Sequence, residues 1–491
     1  RFFPFRYKIC TFKTMINRYV ILLFMGFSIM INSAQDIALS FSDMVSSKGL
    51  SPVNCVVSSD KYFYIQQREK SKKCDLTINI FNDKLKKEAS FRLDNPKYEF
   101  ISIKYLFDKV ILFASHNEQM HTHLVYSILD DKLGFGPFSE IFKEPQKSGY
   151  PTSFIISDKT YEDQLHVIAE LPYVSGKNED IKLLIFDKNL KLAKEVYNKL
   201  EVKFETKRDN KLIISPNGKI FLIKTYWEKG NNFNIYSLGQ EVIKEEVIKL
   251  NRNKISALDY FFNAKNELVI AGFYSSQIRY NYEGYFLFKY DDDLTLVHKN
   301  QYHFNEKIIK TFKSAKEIKE KGFGLDKFLL TSFKMDAKGN HYLVAEHLGR
   351  KKVKEINNWH SMGMVIIKFN RNGNFVWGCP IEREQVHLKR TFIGGFALSN
   401  FQEPQYFYNE LANLNLRKGI PVEYGVNNYC GTKHITFDEV GIPTTKDLTI
   451  SFPGSDMLAF HPVELNSNTN TKTIFQVINE SGEKSCLAVI E

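Results

Sequence analysis

Glu346, His347, Trp359 and His360 lie close together in the stretch HYLVAEHLGRKKVKEINNWHSMG, residues 341–363. A carboxylate can orient an imidazole so that the two act as acid and base, and an indole beside them can stack on a sugar ring or an apolar side chain. Trp227 and Tyr173 complete the expected ligand-binding set, and Tyr280 and Tyr282 are further aromatics of the same kind. No catalytic residue is assigned, because a strand-end Glu is more often structural than chemical. A second group, His116, His121 and His123, sits in SHNEQMHTH. His121 and His123 alternate onto one strand face, as metal ligands would, but no further ligand with a fixed outer shell is evident, so surface histidines are expected and no metal. The basic runs RKKVK (350–354) and REKSKK (68–73) are expected to be solvated loop charges unless an acidic partner binds them.

These residues need a scaffold, and repeats supply it. A strand ending in an aromatic or apolar residue, an Asp/Asn/Gly turn and a second strand recur as NIFNDKLKKE, SILDDKLGF, LLIFDKNLKLAKE, NIYSLGQEVIKE, FKYDDDLTLVHK, IIKFNRNGNFVW, ITFDEVGIPTTKD and QVINESGEKSCLAV. The turns follow Phe81, Leu129, Phe186, Tyr236, Tyr290, Phe369, Phe437 and Ile478, about 57 residues apart on average. Short polar side chains at such turns bond the backbone and tolerate left-handed dihedrals. Upstream strands with their own turns, such as SPNGKIFLIKT and DAKGNHYLVAEH, make four strands per unit. The pattern predicts an all-β chain, a single β-propeller of seven or eight four-stranded blades, because radial closure protects the sheet edges. Asp36 to Ser47 is expected to complete the last sheet. Loops between second and third strands then open on one face, with unit six carrying the longest, and the repeated hairpins on the other. One short amphipathic helix is expected over 305–322, since Ile308, Phe312, Ala315 and Ile318 recur at helical spacing between Asn305 and Gly322.

Composition agrees with this and excludes much. The 491 residues are 43% hydrophobic and 14% aromatic, with 41 Phe, 25 Tyr and only 3 Trp, which rules out disorder and suits half-buried strands. Three Trp are too few for propeller dehydrogenases that use one in nearly every blade. No GxSxG, P-loop or HExxH occurs, so no cofactor is expected. Asp291-Asp292-Asp293 lacks the alternating ligands and closing Glu of a calcium loop and reads as a turn.

From Met15 the chain reads MINRYVILLFMGFSIMINSAQD, a basic residue, an apolar run and small polar residues, so residues 15–34 are expected to be a signal peptide cut after Ala34. Residues 1–14 are expected to be translated upstream sequence and 35–491 the propeller. Removing residues 1–34 takes away Arg1, Arg6, Lys8, Lys13 and Arg18 and no acid, leaving +6 of the +11. The remaining charge is dispersed, so nucleic-acid binding is not expected. After cleavage no stretch of about 18 apolar residues remains to span a membrane. Of Cys55, Cys74, Cys379, Cys430 and Cys486, only Cys55 and Cys74 are close in sequence, and buried thiols are the commoner outcome in a large core.

The segments DAKGNHYLVAEHLGR (336–350), MVIIKFNRNGNFVWGCPIEREQ (364–385) and FALSNFQEPQYFYNELANLNL (396–416) resemble uncharacterised exported propeller-like proteins of Bacteroidota. The shared features are a Glu after a Leu-Val-Ala strand, a hairpin ending in Gly-x-x-x-Trp, and a downstream acid-Gln pair; Tyr408-Asn409-Glu410 departs from the Asn-Asp pair of typical members. The resemblance implies fold and export and brings no activity. The expectation is an exported, monomeric ligand- or protein-binding module in the periplasm or at the cell surface, with an unknown protein or glycan partner. The alternative is a polysaccharide hydrolase or lyase using Glu346 and a loop His.

Overall fold

The computed structural model describes residues 39–490 apart from 59, 131–133, 147–149, 173–176, 204–207, 228–230, 240–242, 251–252, 277–280, 354–355, 388–392, 399–404, 412–428, 449–457, 466–472 and 480–482. Residues 1–38, and with them the expected leader, lie outside that set. One compact unit spans Ser40–Val489. It is a β-propeller of eight antiparallel blades. The innermost strands of the blades run in order through Leu50–Val57, the second half of the long strand Lys87–Leu106, Ser153–Ile156, Arg208–Ile214, Lys254–Phe262, Phe328–Met335, Gly395–Leu398 and Leu458–Leu465. The last of these touches the first, so the sheets close on themselves. Blades one and two are continuous because Lys87–Leu106 serves as the outer strand of one and the inner strand of the next.

The seam is closed from the N-terminal side, as the segment Asp36 to Ser47 leads one to expect. Val45 and Ser46 pair with Ser485 and Lys484, and Ser42 and Leu487 exchange hydrogen bonds of 2.9 Å. Because the outer strand of blade eight comes from there, the Ile478 hairpin joins second and third strands, whereas the other seven join third and fourth. The eighth repeat therefore opens on the opposite face from its siblings.

The turn chemistry is the expected one. Asp291 Oδ1 accepts from the backbone N–H of Asp293 (3.0 Å) and Thr295 (2.7 Å), with Leu294 left-handed at φ 55°. Asp292 and Asp293 turn outward to Lys219. Asn370 repeats this arrangement, and Gly373 at φ 91° takes the left-handed position, where a Cβ would lie 2.7 Å from the His298 ring.

Second strands are covered on both faces, so their side chains alternate between two neighbouring blades. In blade six (His341–His347), Leu343 and Ala345 pack toward blade five, and Tyr342 and Val344 toward blade seven. Polar residues on such strands must find partners. Gln476 donates to Tyr64 Oη of blade one at 2.7 Å, Asn210 of blade four donates to Glu170 of blade three, and fully buried Lys224 pairs with Glu179 across the same seam.

The expected helix is two helices, Glu306–Phe312 and Ala315–Lys321. Ser314 breaks the run, because its hydroxyl takes the Glu317 N–H in a capping box while Lys313 is extended. Ile308, Ile309 and Phe312 of the first helix pack into the apolar cluster shared by blades five and six, where the diverging sheets leave a wedge. The second helix has no buried residue. Cys55 packs with Val45 and Leu487 of blade eight, and Cys74 with Ala114 and Val125 of blade two, so the two thiols face apart. The four described cysteines, Cys55, Cys74, Cys379 and Cys486, are buried and free; the side chain of Cys430 lies outside the described residues.

Candidate binding face

Among the described residues, blade six carries a fifth strand on the face where second-to-third-strand loops open. After His347 the chain continues as Gly349–Val353, which pairs with the start of the long strand Ile356–Phe369. The end of Phe375–His387 flanks the other side, with Trp359 opposite His387 and His360 opposite Val386. The result is a three-stranded ribbon rising from the blade. A bulge between Ser361 and Gly363 marks its root.

Strand alternation sends Glu346 and His347 to opposite sides of this sheet. On the blade-seven side, the buried Glu346 carboxylate pairs with the buried Arg383 guanidinium and accepts from Gly395 N–H at 3.3 Å. Arg383 also lies 4.7 Å from the centre of the Tyr408 ring. Gln385 completes the seam, donating to the Asn409 carbonyl at 2.5 Å and accepting from Gly394 N–H at 3.1 Å. The acid-Gln pair and the Tyr408-Asn409 segment are thus in contact across blades six and seven.

On the blade-five side, His347 Nδ1 accepts from the N–H of Met362, the bulge residue, at 3.2 Å. Its ring stands edge-on to Phe328 (5.7 Å) and His360 (5.4 Å). Burial, helped by His360 and Lys327, pushes the His347 imidazole down to about 4. Burial also lowers His360, against the pull of Glu384, whose carboxylate is 3.6 Å from His360 Nε2 and 3.1 Å from Lys351 Nζ. His347 and His360 are therefore brought together as expected, whereas Glu346 is not brought to them and is held by Arg383.

Trp359 carries the guanidinium of Arg350 at 4.6 Å on its ring and packs with Leu348 against Ile393 and Ile478. Ile478 belongs to the second strand of blade eight, so the ribbon leans across blade seven to reach it. Trp227 lies on the second strand of blade four opposite Asn231. Tyr173 and Tyr280 lie outside the described residues. Tyr282 is a core residue, stacked on Phe273 at 4.7 Å with its hydroxyl taking the Leu330 N–H.

His116 and His123 face each other across strands with rings stacked at 4.6 Å, but each is held by its own carboxylate, Glu118 at 3.2 Å and Glu140 at 2.5 Å. Among the described residues no three His, Cys, Asp or Glu side chains converge as a metal-ligand set. The basic runs are partly neutralised: Arg68 by Asp75 (3.6 Å), Lys73 by Glu99 (3.1 Å) and Lys351 by Glu384. No described helix is long and apolar enough to cross a membrane. Two charged residues that reading the sequence missed are Arg383, which looks like a surface charge between Glu382 and Glu384, and Lys224 in IFLIKTYW. Their signal was position: each sits in a strand that another blade covers.

Fold and site thus define a β-propeller whose sixth blade is elaborated. No protein-family profile matches the chain, and no curated protein matches it in sequence. Solved structures similar to it include the WD40 domain of SCAP from fission yeast, at 10% identity and TM-score 0.41, covering 92% of this chain and 98% of that one. A polysaccharide lyase, Uly1, is similar at 10% identity and TM-score 0.35, covering 89% of each chain. A protein of unknown function from Bacteroides caccae matches at 10% identity and TM-score 0.29, covering 62% of this chain and 90% of that one.

Proposed function

We propose that the chain is an exported, monomeric propeller whose elaborated face, built on the blade-six ribbon, binds a ligand or partner protein in the periplasm or at the cell surface. The observation that carries this reading is the ribbon itself: one blade extends three strands beyond the ring and presents Trp359, His360 and the Arg350–Lys352 run on them. Proteins grow such additions where loops meet partners, while the packed blades serve as scaffold. The resemblance to exported Bacteroidota proteins and the leader-like segment Met15–Ala34 support export, and cell fractionation of the chain from Met15 tests it.

For the site, the triple variant His347→Ala, Trp359→Ala, His360→Ala is compared with wild type in capture from an envelope extract. Capture should be lost while the cooperative unfolding transition persists. Unchanged capture sinks the assignment. The alternative, a polysaccharide hydrolase or lyase, is less favoured because Glu346 is engaged by Arg383. Turnover of a glycan panel by wild type, abolished in Glu346→Gln, would reverse that preference.

A further inference from the structure

We propose that His347 is an acid-released peg, whose neutral imidazole holds the bulge at Met362 and thereby docks the blade-six ribbon on blade eight, and whose protonation frees it. Along the strand Ile356–Phe369 the bulge, which lies in the ladder with Phe375–His387, falls between the residue paired to the blade (Met364 opposite Glu346) and the residue paired to the ribbon (His360 opposite Gly349). At that point the Met362 N–H has turned to a side chain, His347 Nδ1. A ring nitrogen accepts only when unprotonated, so a proton on Nδ1 sets two donors against each other. Gly349 leaves the ring its place: a Cβ there would lie 3.2 Å from His347 Cε1 and 3.2 Å from Lys327 Cδ. Lys327 itself is left-handed at φ 60°, its carbonyl taking the Leu348 N–H at 2.9 Å, so the strand start beneath the ribbon is strained.

The charged groups around the imidazole come from every neighbouring element. Lys327 precedes the innermost strand, Lys351 lies on the ribbon, His360 on the third strand and Glu384 on the outer strand. One carboxylate thus faces two lysines, and protonating either histidine adds a positive charge beside them. Distal to the peg, the ribbon is retained by Trp359 and Leu348 on Ile393 and Ile478. The sign follows from burial. A freed imidazole takes its proton near 6.5, the pegged one only near 4, so pegging is fully favoured above 6.5 and is lost as pH falls toward 4. Within that window each pH unit raises the released-to-docked ratio by about tenfold.

The test reads Trp359 and needs no ligand, so it is independent of the binding reading. The fluorescence of wild type minus that of Trp359→Phe is followed from pH 7.5 to 4.5, with far-UV circular dichroism reporting that the blades stay folded. The expected result is a red shift confined to the acid side of 6.5. It should be absent in His347→Asn, whose Oδ1 stands where Nδ1 stood and does not titrate, and already present at pH 7.5 in His347→Phe. A flat wild-type response, or an acid response retained in His347→Asn, overturns the proposal. Should the variants fail to fold, ¹⁵N-histidine spectra of wild type decide: the His347 titration must coincide with the Trp359 shift, and a Trp359 shift with His347 still neutral overturns it.

Discussion

The two sides of blade six begin from adjacent residues and solve burial in different ways. Glu346 is paired on the blade-seven side, where its carboxylate meets a backbone N–H and the Arg383 guanidinium, itself set against the Tyr408 ring. His347 sheds its charge on the blade-five side, because burial strips its solvation and His360 and Lys327 repel a further proton. The first arrangement is a clamp between blades, costly to break because either partner alone is a buried unpaired charge. The second hangs on a hydrogen bond whose acceptor titrates. Rigidity and responsiveness are thus separated by one peptide unit.

The largest effect should come from breaking the clamp. Arg383→Ala leaves the Glu346 carboxylate buried without its counter-charge and should cost about 3–5 kcal/mol in urea unfolding. The double variant Arg383→Met, Glu346→Leu should recover most of that loss, since the penalty lies in the unpaired charge. On the other side, Phe312→Ala empties the wedge between blades five and six and should cost about 3 kcal/mol, without moving the Trp359 emission. Trp359→Ala removes a partly exposed anchor from the small cluster at Ile393 and Ile478, and about 1 kcal/mol or less is expected, read as faster proteolysis within the ribbon. Smallest of all, His360→Gln should change stability at pH 7.5 by no more than about 0.5 kcal/mol while raising the pH at which His347 titrates, because a repelling neighbour is gone.

Much of the architecture was legible because turn chemistry is local. Asp187, Asp291, Asn370 and Asp438 each carry their hairpin through their own side chain, so such turns narrowed the count to seven or eight blades, of which the fold has eight. The same locality misled at Ile478, where an identical-looking turn lies between different strands because the missing outer strand arrives from the other end of the chain. It misled again at Ser314, a capping residue inside an otherwise helical pattern. The site was less legible. The pairing of Glu346 with His347 failed on a rule the sequence contains, the period of two along a strand. Arg383 and Lys224 could be placed only by knowing that a further blade covers their strands, which is a tertiary fact.

The contrast is tested most directly by hydrogen exchange at two amides, each bonded to one of these adjacent side chains. Met362 N–H is held by His347 and Gly395 N–H by Glu346. After correction for intrinsic exchange, Met362 should lose protection by roughly tenfold or more between pH 7.5 and 5.0, while Gly395 keeps its own. Equal loss at both amides, or none at Met362, would contradict the account.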